Sequence, residues 1–312
     1  MALAADLMVD RRHLRRKLTF WRVLAIVTAI IALGVVGFAL RGQFGLSRPH
    51  IARITIEGMI TGRQATLDVL KRADNANVRA VILRINSGGG TTAGSEALYN
   101  EVRRLAEKKT VVAVVEGVGA SGAYMTALGA ERIYSNGSGI VGSIGVIAQV
   151  PNVSKLLDTL GVKVESVRSS PLKAMPSGVE PTSPEARQAL EATVLDTYRW
   201  FKALVGERRN LSGEALDRVT DGRVFTGRQA IDLKLVDAIG GEREAIAWLE
   251  TEKKIDPKLP VTEYRPVQPG SGLPRISALL GFDGRELSQA ARDLIGPGAL
   301  DGLVSIWQPA AE

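Results

Sequence analysis

The chain has 312 residues, 45% hydrophobic and 23% charged, with 33 glycines, no cysteine and two histidines, His13 and His50. These numbers exclude a cysteine nucleophile, a disulfide framework, a thiolate zinc site and a three-histidine metal centre. The net charge of +7 is uneven: residues 1–22 hold six lysines and arginines against Asp6 and Asp10, a net +4, which leaves +3 on the other 290 residues. A weakly basic body with 5% aromatic residues lacks the basic face with stacking rings that nucleic acid requires, so no such partner is expected.

The first predicted element is the run VLAIVTAIIALGVVGFAL at 23–40, 18 residues without a charge. As a helix it would measure about 27 Å, close to the thickness of a bilayer core. Arg11, Arg12, Arg15, Arg16, Lys17 and Arg22 precede it, against Arg41 and Arg48 after it. The positive-inside rule therefore puts residues 1–22 in the cytoplasm and the 271 residues after Arg41 outside, with the lipid bilayer as a partner. A cleaved signal peptide is the alternative, since Gly37 and Ala39 resemble a small-residue cleavage site, but the apolar run is longer than the usual signal core of about 7 to 15 residues.

Beyond the anchor, 51–60 alternates as a strand and 63–73 has helical spacing with Leu67 and Leu70 on one side. AVILRIN at 80–86 reads as a strand buried on both faces, broken by Gly88, Gly89 and Gly90, and a helix is expected over about 94–107. TVVAVVE at 110–116 is a second buried strand, running into the glycine-rich segment 117–123 and a small-residue helix through Leu128. Short strands are predicted at 132–134, 143–149 and 163–167, with a helix near 153–160 between the last two. A long helix should start at Ser183 as N-cap with Pro184 at its first helical position, carrying Leu190, Val194, Tyr198, Phe201 and Val205 along one packing face. The alternation of strands and helices defines an α/β core. TGRQA occurs at both 61–65 and 226–230, and a capping box explains each copy without a duplicated domain. Residues 266–274 read as a linker before an amphipathic tail from about Arg275. The expected division is a basic tail 1–22, an anchor 23–40, a catalytic domain 41–250 and an extension 251–312.

A serine-histidine-acid triad fails by elimination, because His13 lies on the cytoplasmic side and His50 only ten residues beyond the anchor. A hydrolase built on this chain must use another base, and a desolvated lysine can act as one. Ser121 is the foremost nucleophile candidate: it follows a buried strand, is flanked by glycines and opens a helix, the setting of a nucleophile elbow. Read alone, a serine between glycines is usually just a turn or N-cap residue. The Gly88-Gly89-Gly90 run allows backbone N–H groups to approach a ligand, and equally a flexible turn. GSGIVG at 137–142 fits the dinucleotide fingerprint formally, but a strand and not a helix is expected to follow, which argues against a nucleotide. Lys155, Lys163, Lys173 and Lys202 all read as solvated surface residues.

INSGGG at 85–90, GVGASGAY at 117–124, GIVGSIGVI at 139–147 and DGRVFTGRQAIDLKLVDAIGG at 221–241 together resemble the bacterial signal peptide peptidase A family. The resemblance spans roughly 51–245. It implies a crotonase/Clp-protease-like core in its short single-core form and a membrane-anchored serine endopeptidase with a Ser/Lys dyad. It assigns Ser121 as nucleophile, Lys173 in SSPLKAMPSG as general base, Ser143 as the hydroxyl that orients the lysine, and Gly89 and Gly122 as oxyanion donors. It implies remnant signal peptides and other apolar peptides as substrates, no metal or organic cofactor, and a homo-oligomer whose active sites are shared between subunits. Relatives usually carry Ser-Pro-Gly-Gly where this chain has Ser87-Gly88-Gly89-Gly90, a change that loosens the oxyanion loop. An acyl-CoA enzyme on the same fold and a non-catalytic membrane scaffold are the rival readings. The expected location is the bacterial cytoplasmic membrane, with the catalytic domain periplasmic or extracellular.

Overall fold

The computed structural model describes residues 19–30 and 48–266 and the backbone of 304–306. The chain divides into two units, Met1–Pro49 and His50–Glu312. In the first, a helix α1 is described over 19–30. Residues 31–40 of the predicted span lie outside the described residues, and among the described residues no helix is long and apolar enough to cross a membrane.

The second unit is organised by strands whose residues are apolar on both faces. β1 (His50–Glu57), β2 (Val78–Ser87) and β4 (Thr110–Ala120) pair in parallel in the order β1-β2-β4. Because side chains alternate along a strand, the same three strands feed two cores. Ile54, Ile56, Val81, Leu83, Ile85, Ala113 and Val115 point to one face, where α2 (Gln64–Arg72), α3 (Thr92–Ala106), α4 (Gly122–Ala127) and the end of α6 (Pro184–Arg209) cover them. Ile51, Ala80, Ile82, Val112 and Val114 point to the other, against Ala245 and Leu249 of α9 (Glu242–Thr251). This three-layer arrangement explains the continuous apolar runs of β2 and β4, as expected of parallel strands covered on both sides.

The sheet is completed by β5 (Arg132–Ser135) and β6 (Ile140–Gly142), both parallel to β4, by β8 (Ala238–Ile239) on β5, and by β7 (Val224–Thr226), which runs antiparallel to β6. β9 (Val261–Tyr264) lies parallel to β1, so the sheet includes residues beyond position 250. A separate two-stranded sheet pairs β3 (Gly89–Thr91) with β10 (Val304–Ile306) in antiparallel register. The remaining helices are α5 (Ser154–Thr159), α7 (Gly213–Val219) and α8 (Gly227–Asp232).

Three predicted elements are corrected. Residues 143–149 are not a strand; the strand is 140–142, and Gly142 at φ 94° followed by Ser143 at φ 50° turns the chain out of the sheet. No helix follows the 137–142 glycines either, so the nucleotide fingerprint lacks its structural context. Residues 163–167 also form no strand, and Val162, Val164 and Val167 are exposed. Only the second TGRQA is a capping box, with Thr226 and Gln229 bonded reciprocally. In the first copy Gly62 takes φ 68° and passes so close to α3 that a Cβ would lie 2.8 Å from Gly94 Cα, and the helix begins only at Gln64. The helix predicted from Ser183 forms as expected, the Ser183 hydroxyl accepting from the Ala186 N–H at 3.1 Å.

At its far end α6 is tied to the sheet by one carboxylate. Asp237 accepts from the Ile133 N–H at 2.7 Å, while the guanidinium of Arg209 reaches its two oxygens at 2.8 and 3.1 Å. Removing it leaves the buried Ile133 N–H unpaired and a largely buried guanidinium held only by its Nε bond to the Lys234 carbonyl. Asp237→Ala is expected to lower stability by about 2 to 3 kcal/mol, read as a drop in the urea midpoint, and an unchanged midpoint would show that the remaining contacts of α6, among them Arg208 to the Leu128 and Ala130 carbonyls, hold it without this carboxylate.

Candidate active site

In a parallel sheet the carboxyl ends of the strands share one edge, and there the backbone leaves the sheet in turns that can present functional groups. Three of the sequence motifs meet at this edge. β2 ends at Ser87, β4 at Ala120 and β6 at Gly142, and the pairings Ser87↔Gly119 and Ala120↔Gly142 make the three ends adjacent. The segment 117–120, expected to break the strand, instead continues β4 through a bulge: Ile85 pairs with Val115, but Ser87 pairs with Gly119. Asn86 spans it, its Oδ1 accepting from the Val118 N–H at 3.1 Å and lying 2.8 Å from where a Cβ on Gly117 would fall. A bulge of this kind bends its strand and re-aims the chain beyond it.

Ser121 is the residue so re-aimed. It stands between β4 and α4 with φ 55° and ψ −122°, a combination that an L side chain adopts only at a cost. Its N–H donates to the Gly142 carbonyl at 2.7 Å, and its carbonyl accepts from the Met125 N–H at 2.9 Å, so both flanking elements fix the turn. Ser121 itself is 1% exposed. Burial of all six α4 residues makes the helix a rigid support, and the Tyr124 hydroxyl anchors it to the Leu235 carbonyl at 2.7 Å. Complete burial pushes that phenol's pKa up, so it stays a hydrogen-bond donor.

The other candidates fall into two groups. Gly122 is the first residue of α4, and Ser143 directly follows the Gly142 carbonyl that holds Ser121, so these two share the Ser121 turn. Gly89, on the adjacent turn, has φ 109°, and its N–H donates to the Ser87 hydroxyl at 3.1 Å while Ser87 Oγ donates to the Gly58 carbonyl at 2.5 Å. Ser87 thus braces the loop that carries Gly88. Sequence reading missed this because Gly58 belongs to a distant turn. Lys173 is exposed, in a turn closed by its own N–H to Ser170 O at 3.1 Å. That turn belongs to the segment 147–182, which α5 and irregular chain compose and in which α5 has no buried residue. Arg168 clasps Glu180 at 2.7 and 2.8 Å and holds the carboxyl pKa below its ordinary value, so the clasp is complete at neutral pH.

His50 is removed as a base by position. It begins β1, whose eight residues span about 26 Å, so it sits at the amino edge, opposite Ser121. There it is fully buried against Tyr264, ring nitrogen to hydroxyl at 3.0 Å.

The sequence model of Peptidase family S49 matches residues 103–256. A Synechocystis sp. relative bearing a protease name, slr0021, is 38% identical over 213 residues, which are 68% of this chain and 77% of the relative. The chain belongs to peptidase family S49, the signal peptide peptidase A family. This S49 chain is also 30% identical over 236 residues to an Enterococcus faecium protein named for signal peptide peptidase SppA, covering 71% of the one and 68% of the other. Against a solved ClpP1 from Listeria monocytogenes it scores a TM-score of 0.43 at 20% identity, over 66% of this chain and 98% of that one, and the family assignment does not rest on that likeness.

Within the S49 domain the Ser121 turn gives a direct energetic test. Glycine tolerates φ 55° and alanine does not, whereas both remove the hydroxyl. Ser121→Gly is expected to be more stable than Ser121→Ala by about 1 kcal/mol in urea denaturation. A difference of zero or the opposite sign would mean the turn is unstrained.

Proposed function

We propose that this S49 protease cleaves peptide bonds through an acyl-enzyme on Ser121, with Lys173 as general base. The observation that carries the reading is the backbone of Ser121, fixed at positive φ between a buried strand and a buried helix at the edge where the Gly89 and Ser143 turns converge. In the proposed reaction Ser121 Oγ bonds to the scissile carbonyl carbon as its proton passes to the neutral Lys173 amine. Collapse of the tetrahedral adduct breaks the C–N bond, and the leaving amine departs with that proton. Water then attacks the ester carbonyl as its proton passes to Lys173, and the second adduct collapses with cleavage of the C–Oγ bond, the Lys173 ammonium returning that proton to Ser121 Oγ as the acid product leaves. The Gly122 N–H, at the start of α4, is the first oxyanion donor. For Gly89 to be the second, its N–H must exchange the Ser87 hydroxyl for the substrate oxygen. Ser143 orients the lysine, and no cofactor takes part.

We further propose a homo-oligomer in which Lys173 of one subunit serves Ser121 of its neighbour. A lysine acts as base when desolvation favours its neutral amine, which exposure on a lone chain opposes and cover by a neighbour supplies. The segment that carries Lys173 exposes Ile147, Val150, Val153, Leu156, Leu160, Val162, Val164 and Leu172, more apolar surface than a solitary arm usually leaves in water. The crotonase/Clp-protease-like architecture, the membrane anchor at 23–40 and the periplasmic or extracellular placement of the body complete the reading, with remnant signal peptides and other extended apolar peptides as substrates.

Ser121→Ala and Lys173→Ala are each expected to abolish hydrolysis of an apolar fluorogenic peptide. Lys173→Arg should abolish it too, because guanidinium holds its proton, whereas Ser143→Ala should only slow it. Co-assembly of Ser121→Ala with Lys173→Ala chains, verified by two affinity tags, is expected to restore activity, since some junctions then unite an intact serine with an intact lysine. Inactive mixed oligomers would refute the shared site, and a fully active Lys173→Arg would refute the base assignment.

The proposed topology makes the body accessible to protease added to spheroplasts, with residues 1–22 protected. Digestion only after lysis would reverse the orientation derived from the charge asymmetry around 23–40.

A further inference from the structure

α4 follows the Ser121 turn at one end, and arginines from two other helices converge on its opposite end. Arg208, in the last turn of α6, donates from Nε to the Leu128 carbonyl at 2.8 Å and from Nη2 to the Ala130 carbonyl at 3.1 Å. Arg103, in the last turn of α3, reaches the Gly129 carbonyl between them from Nη1 at 3.4 Å. Two guanidiniums are thus drawn onto one short turn, although like charges repel there. Neighbouring cations have acid partners: Arg104 is paired with Glu101 and Asp74, and Arg209 with Asp237. Arg103 and Arg208 form no ion pair with a carboxylate among the described residues. Glu207, next in chain to Arg208, is exposed and pairs with neither.

Tyr99 completes the cluster. It lies one helical turn before Arg103 on the same face of α3, and its backbone meets the same turn, since a Cβ on Gly129 would lie 3.1 Å from the Tyr99 carbonyl oxygen. Its partly buried side chain makes no hydrogen bond through the hydroxyl among the described residues. Burial pushes the Tyr99 pKa up, against the pull of the Arg208 and Arg103 charges, so at neutral pH the phenol keeps its proton and is a donor. The Nη1 of Arg208 and the Nε and Nη2 of Arg103 have no protein acceptor either. Holding the 128–130 turn accounts for the bonds to its carbonyls. It does not account for two unneutralised guanidiniums beside an unused phenol.

We propose that Tyr99, Arg103 and Arg208 form a binding site for a phosphate group, separate from the peptidase centre. Donors from three side chains match the several oxygens of a tetrahedral phosphate better than the two of a carboxylate, and guanidinium is suited to phosphate by its planar fork. A free phosphate ion and the phosphodiester of a lipid headgroup present the same chemistry. The test is calorimetric titration of the detergent-solubilised full chain with inorganic phosphate at constant ionic strength, which reads binding and not hydrolysis. Saturable binding is expected, and Tyr99→Phe and Arg103→Gln should each weaken it about tenfold. Tyr99→Phe takes away only a hydroxyl that the fold does not use, so a loss of affinity there reports on the ligand and not on folding. A second titration with glycerophosphoglycerol, the head of an anionic lipid without its acyl chains, separates the sources: tighter binding of the diester assigns the headgroup, and equal or weaker binding assigns the free ion. No saturable binding of either probe, equally tight binding of acetate, or an affinity that either variant leaves unchanged would overturn the proposal.

Discussion

The Ser121 backbone is the constraint on which the site depends. A serine at φ 55° costs on the order of 1 to 3 kcal/mol, and such a turn persists only where the surroundings leave the chain no alternative. Here the surroundings are β4, whose register is set by pairing with β2 and β6, and α4, every residue of which is buried. The Gly142 carbonyl closes the arrangement by accepting from the Ser121 N–H. The large two-sided core is therefore part of the chemistry: it holds one residue in a conformation that the free chain would avoid.

The same sheet separates what must be rigid from what must be completed. The serine turn and its neighbouring glycines are fixed by strands buried on both faces. Lys173, by contrast, sits in a segment ordered locally by the Arg168–Glu180 clasp and by short-range turns, with its apolar side chains facing outward. A fold that buries the proposed nucleophile and leaves the proposed base on an exposed segment is what the proposed shared site requires.

The loop that carries Gly88 shows how order can be supplied without a proline. Proline would limit the loop through its own ring. In this chain the limit comes from Ser87, whose hydroxyl joins the Gly58 carbonyl to the Gly89 N–H, and from the pairing of β3 on both edges. Order in this loop thus arises from contacts with distant parts of the chain.

Much of this was legible in the sequence, where local pattern and physics coincide. The doubly apolar runs at 80–86 and 110–116 announced parallel strands, the Ser183-Pro184 start announced α6, and glycines on either side of Ser121 announced a sharp turn. The absence of cysteine and the scarcity of histidine removed whole classes of catalysis. The family was readable because four motifs occur in one order. Only the tertiary structure decided the rest, since it turns on partners remote in the chain. It replaced the predicted strands at 143–149 and 163–167, because a strand exists only where a neighbour pairs with it. It made one TGRQA a capping box and bent the other at Gly62, because α3 crosses the first copy and not the second. It carried β4 through the glycines by a bulge that Asn86 spans, put His50 at the wrong edge for catalysis, and laid strand 304–306 along β3. None of these pairings has a local signature, because backbone hydrogen bonds across a sheet are made without regard to which side chains the two strands carry.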